Sequence, residues 1–187
     1  FVSPFFIQKK FNCLKNCCQN KKLYFCKSNV NIFMNNKIQH LSNEEQTLIL
    51  NAPIYVSALI SGVDGEFHPE EIKKAVKIIH IKSFSETRDI RGVYSESNQE
   101  SEEKIEMLID ALPSSTSERN DVLIQKLSGL NEIFPKLDAT FAFDLYNSLR
   151  ELAYYVSTAS ESDIAGFQNE LEKEIAKLPF LNVPQLD

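Results

Sequence analysis

The sequence predicts an all-α protein, an orthogonal bundle of about seven helices. Two observations predict this class. Apolar residues recur at helical spacing from Ser42 to Leu178, and no segment alternates apolar and polar residues as a half-buried strand does. The 187 residues are 43% hydrophobic and 25% charged, so the chain is long enough for one globular domain with its own core.

The first predicted helix starts at a capping box. In SNEE, residues 42–45, Ser42 and Glu45 can satisfy each other's backbone N–H groups. Pro53 lies inside the apolar run that follows, and it predicts either a kink or a division into two helices. Pro69 suits the first position of the next helix. Apolar residues at i, i+3, i+4 and i+7 then predict a buried stripe of Ile72, Ala75, Val76 and Ile79.

The same spacing predicts the remaining helices. A short polar helix starts near Ser85, another ends at Pro113, and the next follows SSTSERN and continues to Phe134. The longest and most aromatic runs from about Lys136 to Ser160, and we expect it at the centre of the bundle because it is apolar over so much of its circumference. A last helix with Ile164, Phe167, Leu171, Ile175 and Leu178 precedes an extended tail.

Residues 1–33 differ in composition from the rest of the chain. They contain six Lys and no acid, whereas residues 34–187 contain 14 basic and 26 acidic residues. Residues with A/T-rich codons dominate this first segment, and the first methionine is Met34. We interpret residues 1–33 as translated upstream sequence or a disordered extension. Residues 34–187 then form a single domain with its core at about 42–178.

All four cysteines, Cys13, Cys17, Cys18 and Cys26, lie in that first segment. Their spacing lacks the paired C-x2-C and nearby His of zinc modules, which argues against a zinc role. The segment has no continuous apolar region typical of a secretory signal, and no later apolar stretch is long enough to span a bilayer. We predict a cytoplasmic protein without membrane insertion, and the acidic balance argues against nucleic acid as its partner.

The stretch SGVDGEFHPEE, residues 61–71, carries the strongest chemical signal. Asp64 and Glu66 lie in a predicted turn, and Glu70 and Glu71 open the helix after it. Carboxylate oxygens grouped in this way suit a divalent cation, calcium or magnesium. These four residues are the predicted metal ligands.

The stretch matches only half of an EF-hand calcium loop. Asp64, Gly65 and Glu71 take its fifth, sixth and twelfth positions, but the first and third fall on Ile60 and Gly62, which have no side-chain oxygen. A complete EF-hand is therefore excluded. The alternative interpretation is a structural turn, because Asp-Gly is a common turn pair and acids after Pro69 favour the positive end of a helix dipole.

The segment APIYVSALISGVDGEFHPEEIKKAV resembles the TerB-like family of tellurite-resistance-associated domains. FPKLDATFAFDLYNSLRELAYYVSTAS also resembles the long helix near the end of bacterial members. The resemblance covers roughly residues 42–178 and implies an all-helical fold that acts in stress-response and membrane-associated defence systems. It also implies metal binding through Asp64, Glu66 and Glu71, with Glu70 as a fourth. ASESDIAG replaces a Gly-rich turn of the relatives, and Glu161 and Asp163 could complete the site.

Two functions stay open from the sequence, and no enzyme is indicated because motifs for nucleotide binding, serine hydrolysis and zinc hydrolysis are missing. The first is a TerB-like module that binds a divalent cation at the acidic loop and acts through protein partners. The second is a metal-free interaction scaffold in which the loop only caps a helix. The scaffold predicts a large exposed apolar patch near Phe143 or Tyr154.

Overall fold

The structure, a computed structural model, describes residues 37–158 and 174–186. Within these ranges the chain forms seven α-helices, one 3-10 helix and no strand, which confirms the predicted all-α bundle. The helices are α1 (Asn43–Ile60), α2 (Pro69–Ser85), α3 (Arg88–Asn98), α4 (Ser101–Ala111), α5 (Thr116–Ser128), α6 (Leu130–Ile133), the 3-10 helix (Phe134–Lys136) and α7 (Ala139–Ser157). The four cysteines, Glu161, Asp163 and most of the predicted last helix lie outside the described residues.

Helix α1 starts at the predicted capping box and runs unbroken through Pro53. Ser42 Oγ accepts from the backbone N–H of Glu45 at 3.2 Å, and Glu45 Oε2 accepts from that of Ser42 at 2.9 Å. Of the two outcomes predicted at Pro53, a kink or a division into two helices, the division does not occur. Proline inside a helix costs about 3 kcal/mol, whereas each large apolar side chain buried between residues 51 and 60 contributes about 1.5–3 kcal/mol. Burial of the whole segment outweighs the lost hydrogen bond.

The central helix is α1, because it packs against each of the other six helices. We expected the longest helix there, but α7 buries only one face, with Phe141, Leu145 and Leu149 inside, and exposes Tyr154 and Tyr155. The sequence difference between the two helices explains the arrangement. No charged residue occurs from residue 46 to residue 61, whereas α7 carries Asp144, Arg150 and Glu151.

Two helix boundaries differ from the predicted ones. The helix after SSTSERN ends at Ser128 instead of continuing to Phe134, and Gly129 separates it from α6. A Cβ atom on Gly129 would lie 3.0 Å from Leu48 Cδ2, so the turn passes close to α1. Helix α3 begins at Arg88 rather than near Ser85, and it buries Ile90, Val93 and Tyr94.

Helices α2 and α7 lie side by side and antiparallel. Lys74 Nζ is 3.2 Å from Thr158 Oγ1, and Lys82 Nζ is 3.1 Å from Ser148 Oγ. As residue numbers rise along α2 from Lys74 to Lys82, the numbers of their partners on α7 fall from Thr158 to Ser148. The two helices therefore run in opposite directions. In the described part of the chain, no helix is long and apolar enough to cross a membrane.

Candidate functional site

The acidic loop between α1 and α2 is held against α5 by Arg119. Its Nη2 donates to the carbonyl oxygens of Gly62 at 3.2 Å and Gly65 at 3.0 Å, and its guanidinium lies 4.6 Å from the centre of the Phe67 ring. The Arg119 side chain is buried. The positively charged guanidinium of Arg119 therefore already binds the carbonyl oxygens that a metal cation would approach.

Both glycines of the loop are required by its geometry. Gly65 has φ +111, a left-handed conformation that side chains rarely adopt. A Cβ atom on Gly62 would lie 2.4 Å from Cε1 of Phe67, the ring that stacks on Arg119. The pattern G-x-x-G-x-F therefore serves the packing of the loop onto α5.

The four predicted metal ligands lie close together in sequence, but their carboxylates do not converge on one point. Asp64 Oδ1 accepts from the backbone N–H of Glu66 at 3.1 Å, and Asp64 Oδ2 is 3.5 Å from His68 Nε2. Glu66 is exposed, Glu70 pairs with Lys73 at 3.1 Å, and Glu71 is buried in the first turn of α2. Over residues 37–158 and 174–186, no three His, Cys, Asp or Glu side chains come together in a group that could hold a metal ion.

We expect calorimetric titration of calcium or magnesium into the chain to show no saturable binding. The Arg119 charge opposes a divalent cation at the loop carbonyls, and the exposed carboxylates of Asp64 and Glu66 are too few for a hard cation that takes six or more oxygen ligands. Asp64→Asn is the control variant. Binding by the unaltered chain that Asp64→Asn abolishes, with helical circular dichroism unchanged, would contradict this expectation and establish the loop as a cation site.

A buried polar cluster joins α2, α3 and α7, and the sequence did not predict it. Lys82 Nζ donates to Glu86 Oε1, to Ser148 Oγ and to Glu151 Oε2 at 2.5, 3.1 and 2.9 Å, which uses all three of its protons. Ser148 Oγ donates to Glu86 Oε1 at 2.6 Å, and Tyr94 Oη donates to the Ser148 carbonyl at 3.1 Å. Burial raises the pKa of Tyr94 well above its usual value, so this phenol stays neutral.

The chemistry of this cluster is structural. A serine next to a carboxylate and a lysine is an arrangement that some nucleophilic enzymes use. Ser148 is only 4% exposed, however, and the Lys82 ammonium already donates to Glu86, Ser148 and Glu151. The cluster therefore fixes α2 and α3 to α7.

The surface of the α2 and α7 pair exposes four large apolar side chains. Phe84 is 67% exposed, Tyr154 61%, and Ile81 and Tyr155 49% each. The rings of Tyr154 and Tyr155 meet edge to face with their centres 5.7 Å apart. We name this surface, defined by these four residues, the α2–α7 face.

Two exposed cations lie on the same helices as the residues of the α2–α7 face. Lys77 lies one helical turn before Ile81 on α2, and Arg150 lies one turn before Tyr154 on α7. Both are exposed. The exposed acid Glu151 is engaged by Lys82. Of the two positions where an interaction scaffold predicts an exposed apolar patch, Tyr154 is exposed and Phe143 is half-buried.

Comparison with known proteins gives no relative for this chain: no protein-family model, no curated protein and no solved structure matches it. Its function is therefore argued from the geometry of these sites.

Proposed function

We propose that this chain is a helical protein-interaction module of TerB-like type, which binds an amphipathic helix of a partner protein on the α2–α7 face. The exposed apolar surface of Ile81, Phe84, Tyr154 and Tyr155 carries the proposal. Large exposed apolar patches mark interaction sites on soluble proteins, and in this one the Tyr154 and Tyr155 rings are in contact, with their centres 5.7 Å apart. Tyrosine is among the side chains that contribute most to binding at interfaces, and phenylalanine is enriched there.

The apolar side chains and the charges of the face favour an acidic amphipathic helix. Such a helix presents apolar residues spaced i, i+3, i+4 and i+7 on one side, and these can pack on the exposed side chains of the α2–α7 face. Lys77 and Arg150 would then meet acidic side chains on the flanks of that helix. Residues 34–187 contain 14 basic and 26 acidic residues, a net charge of -12, and this overall charge opposes an acidic partner less than the nearby cations attract it. Charges separated by more than about 8 Å are largely screened at physiological salt.

The acidic loop has a structural role in this proposal. Arg119 engages its carbonyl groups, Gly65 supplies the left-handed turn, and Glu70 and Glu71 lie in the first turn of α2, where the helix dipole favours negative charge. Partner binding then needs no cation.

We expect the chain to bind a synthetic acidic amphipathic peptide with leucines on one face and glutamates on both flanks. The same peptide with lysines in place of the glutamates should not bind. Fluorescence anisotropy of labelled peptides measures both. Phe84→Ser and Tyr154→Ser should each weaken binding of the acidic peptide about thirtyfold, because a buried aromatic anchor contributes about 2 kcal/mol or more.

The matched controls are Met107→Ser and Val183→Ser, which remove exposed apolar side chains elsewhere on the surface and should leave the affinity unchanged. Equal binding of the acidic and basic peptides, or of neither, would contradict the proposal. Analytical ultracentrifugation tests whether a second copy of the chain, instead of a partner helix, binds the α2–α7 face. A dimer that the Phe84 and Tyr154 substitutions dissociate would make the occupant a second copy of the chain.

A further inference from the structure

An open groove of about 740 Å³ lies between α2 and α4, and charges of opposite sign line it from the two helices. Lys73 and Lys77 of α2 form what we call its basic wall. Its acidic wall consists of three glutamates of α4: Glu102, Glu103 and Glu106. Residues at these spacings share one side of a helix, and all five are exposed. We name this feature the α2–α4 groove.

The two walls do not neutralise each other. In the described part of the chain, Lys77 and the glutamates of the acidic wall form no ion pair, although they line the same groove. Lys73 pairs with Glu70 of its own helix at 3.1 Å, and both side chains are exposed. A molecule that enters the groove can therefore pair with charges on both walls.

The separation of the charges into two walls selects the occupant. One of the walls would repel a molecule that carries a single sign of charge, so the occupant must present both signs, also in two rows. A second copy of the chain presents such rows. A two-fold rotation about an axis along the groove places the basic wall of each copy against the acidic wall of the other. Two-fold dimers with self-complementary interfaces are the commonest soluble oligomers.

We infer that two copies of the chain form a two-fold dimer through the α2–α4 groove, in which Lys73 and Lys77 of each copy pair with the acidic wall of the other. The dimer is weak, because exposed ion pairs contribute little each and both copies carry more acids than bases. Phe84 and Tyr154 do not line the groove, so the dimer does not rest on the proposed function. Lys77 is the one charge that the groove shares with the surroundings of the α2–α7 face.

Reversing the charge of one wall at a time tests the dimer. Sedimentation equilibrium of the full chain should show a dimer at concentrations up to about 1 mM, where weak associations are populated. Lys73→Glu with Lys77→Glu makes both walls acidic, and replacing the three glutamates of the acidic wall with lysine makes both walls basic. Each variant should raise the dissociation constant about tenfold or more, because like charges then face each other. An equimolar mixture of the two variants should dimerise again, because opposite charges face each other in the mixed dimer.

The matched control is Lys136→Glu with Lys177→Glu. It changes the net charge as much as the reversal of the basic wall does, at two exposed lysines outside the groove, and should leave the dimer unchanged. Phe84→Ser and Tyr154→Ser should also leave it unchanged. An unaltered chain that stays monomeric, a dimer that survives reversal of the basic wall, or a control that weakens it equally would overturn the inference. Circular dichroism checks that each variant is folded.

Carbodiimide crosslinking needs no variant, because it joins lysine amines directly to carboxylates that they contact. In a mixture of isotope-labelled and unlabelled chains, peptides that join Lys73 or Lys77 to the acidic wall should include some with one half of each kind. If every such peptide is wholly labelled or wholly unlabelled, or if none forms, the walls of two copies do not meet and the inference is wrong.

Discussion

Replacing Lys82 with methionine is expected to lower the free energy of unfolding by about 3 kcal/mol. Removing one partner of a buried ion pair costs about 3–5 kcal/mol, because the other charge stays buried without compensation. Here that charge belongs to Glu86, whose side chain is 16% exposed. The lower end of the range applies because Glu151, the second carboxylate, is exposed and can return to water. Methionine keeps the apolar stem, so little packing is lost.

The matched control is Lys73→Met on the same helix. Lys73 also pairs with a glutamate nearby in sequence, Glu70, but both side chains are exposed. Exposed ion pairs contribute about 0–1 kcal/mol, so this variant should unfold almost as the unaltered chain does. Chemical denaturation followed by circular dichroism measures both variants. Equal losses of unfolding free energy in the two variants would show that the buried ion pairs of Lys82 stabilise the fold no more than the exposed pair of Lys73 does.

A second variant identifies the origin of the loss. Adding Glu86→Gln to Lys82→Met removes the charge that the first substitution leaves unpaired. We expect the double variant to be more stable than Lys82→Met alone. If the double variant is less stable, lost packing around α2 explains the effect instead.

The helix starts could be predicted because their causes are local. The capping box at Ser42 and the proline at position 69 each act within one turn of the chain, and both helices begin where these signals lie. The continuity of α1 through Pro53 could not be predicted. It depends on burial by six other helices. The uncharged run from residue 46 to residue 61 indicates burial but does not show whether that burial outweighs the cost of the proline. The break at Gly129 likewise depends on its contact with Leu48, far away in sequence.

The residues that hold the acidic loop could not be predicted either, because they contact groups that are distant in sequence. The acids and glycines of residues 61–71 are conspicuous in the sequence, but Arg119 bonds Gly62 and Gly65 across 57 and 54 residues. Lys82 and Ser148 are 66 residues apart. A hydrophobic pattern says which face of a helix is buried, but it does not say which polar groups of two helices meet. Only the tertiary fold shows that the loop carbonyls already have a cationic partner.

The second large effect is expected at Arg119, where methionine should lower the free energy of unfolding by about 2–3 kcal/mol. The substitution removes two hydrogen bonds from a charged donor, each contributing about 1.5–3 kcal/mol, and the contact with the Phe67 ring. Part of this loss is offset, because a buried charge and its unpaired Nε–H are removed as well. Hydrogen exchange at the amides of residues 62–67 should accelerate, because the loop loses its attachment to α5.

Two variants show whether the guanidinium causes the effect. Arg150→Met removes an arginine that also lies over an aromatic ring, Tyr146 at 5.6 Å, but is exposed, so it should change stability by less than about 0.5 kcal/mol. Arg119→Lys keeps the charge but loses the planar group that stacks on the Phe67 ring, and we expect an intermediate loss. If Arg119→Met lowers the free energy of unfolding no more than Arg150→Met does, the bonds from the guanidinium to the carbonyls of Gly62 and Gly65 do not stabilise the fold. Calcium or magnesium at the loop would then become the better explanation of its acids.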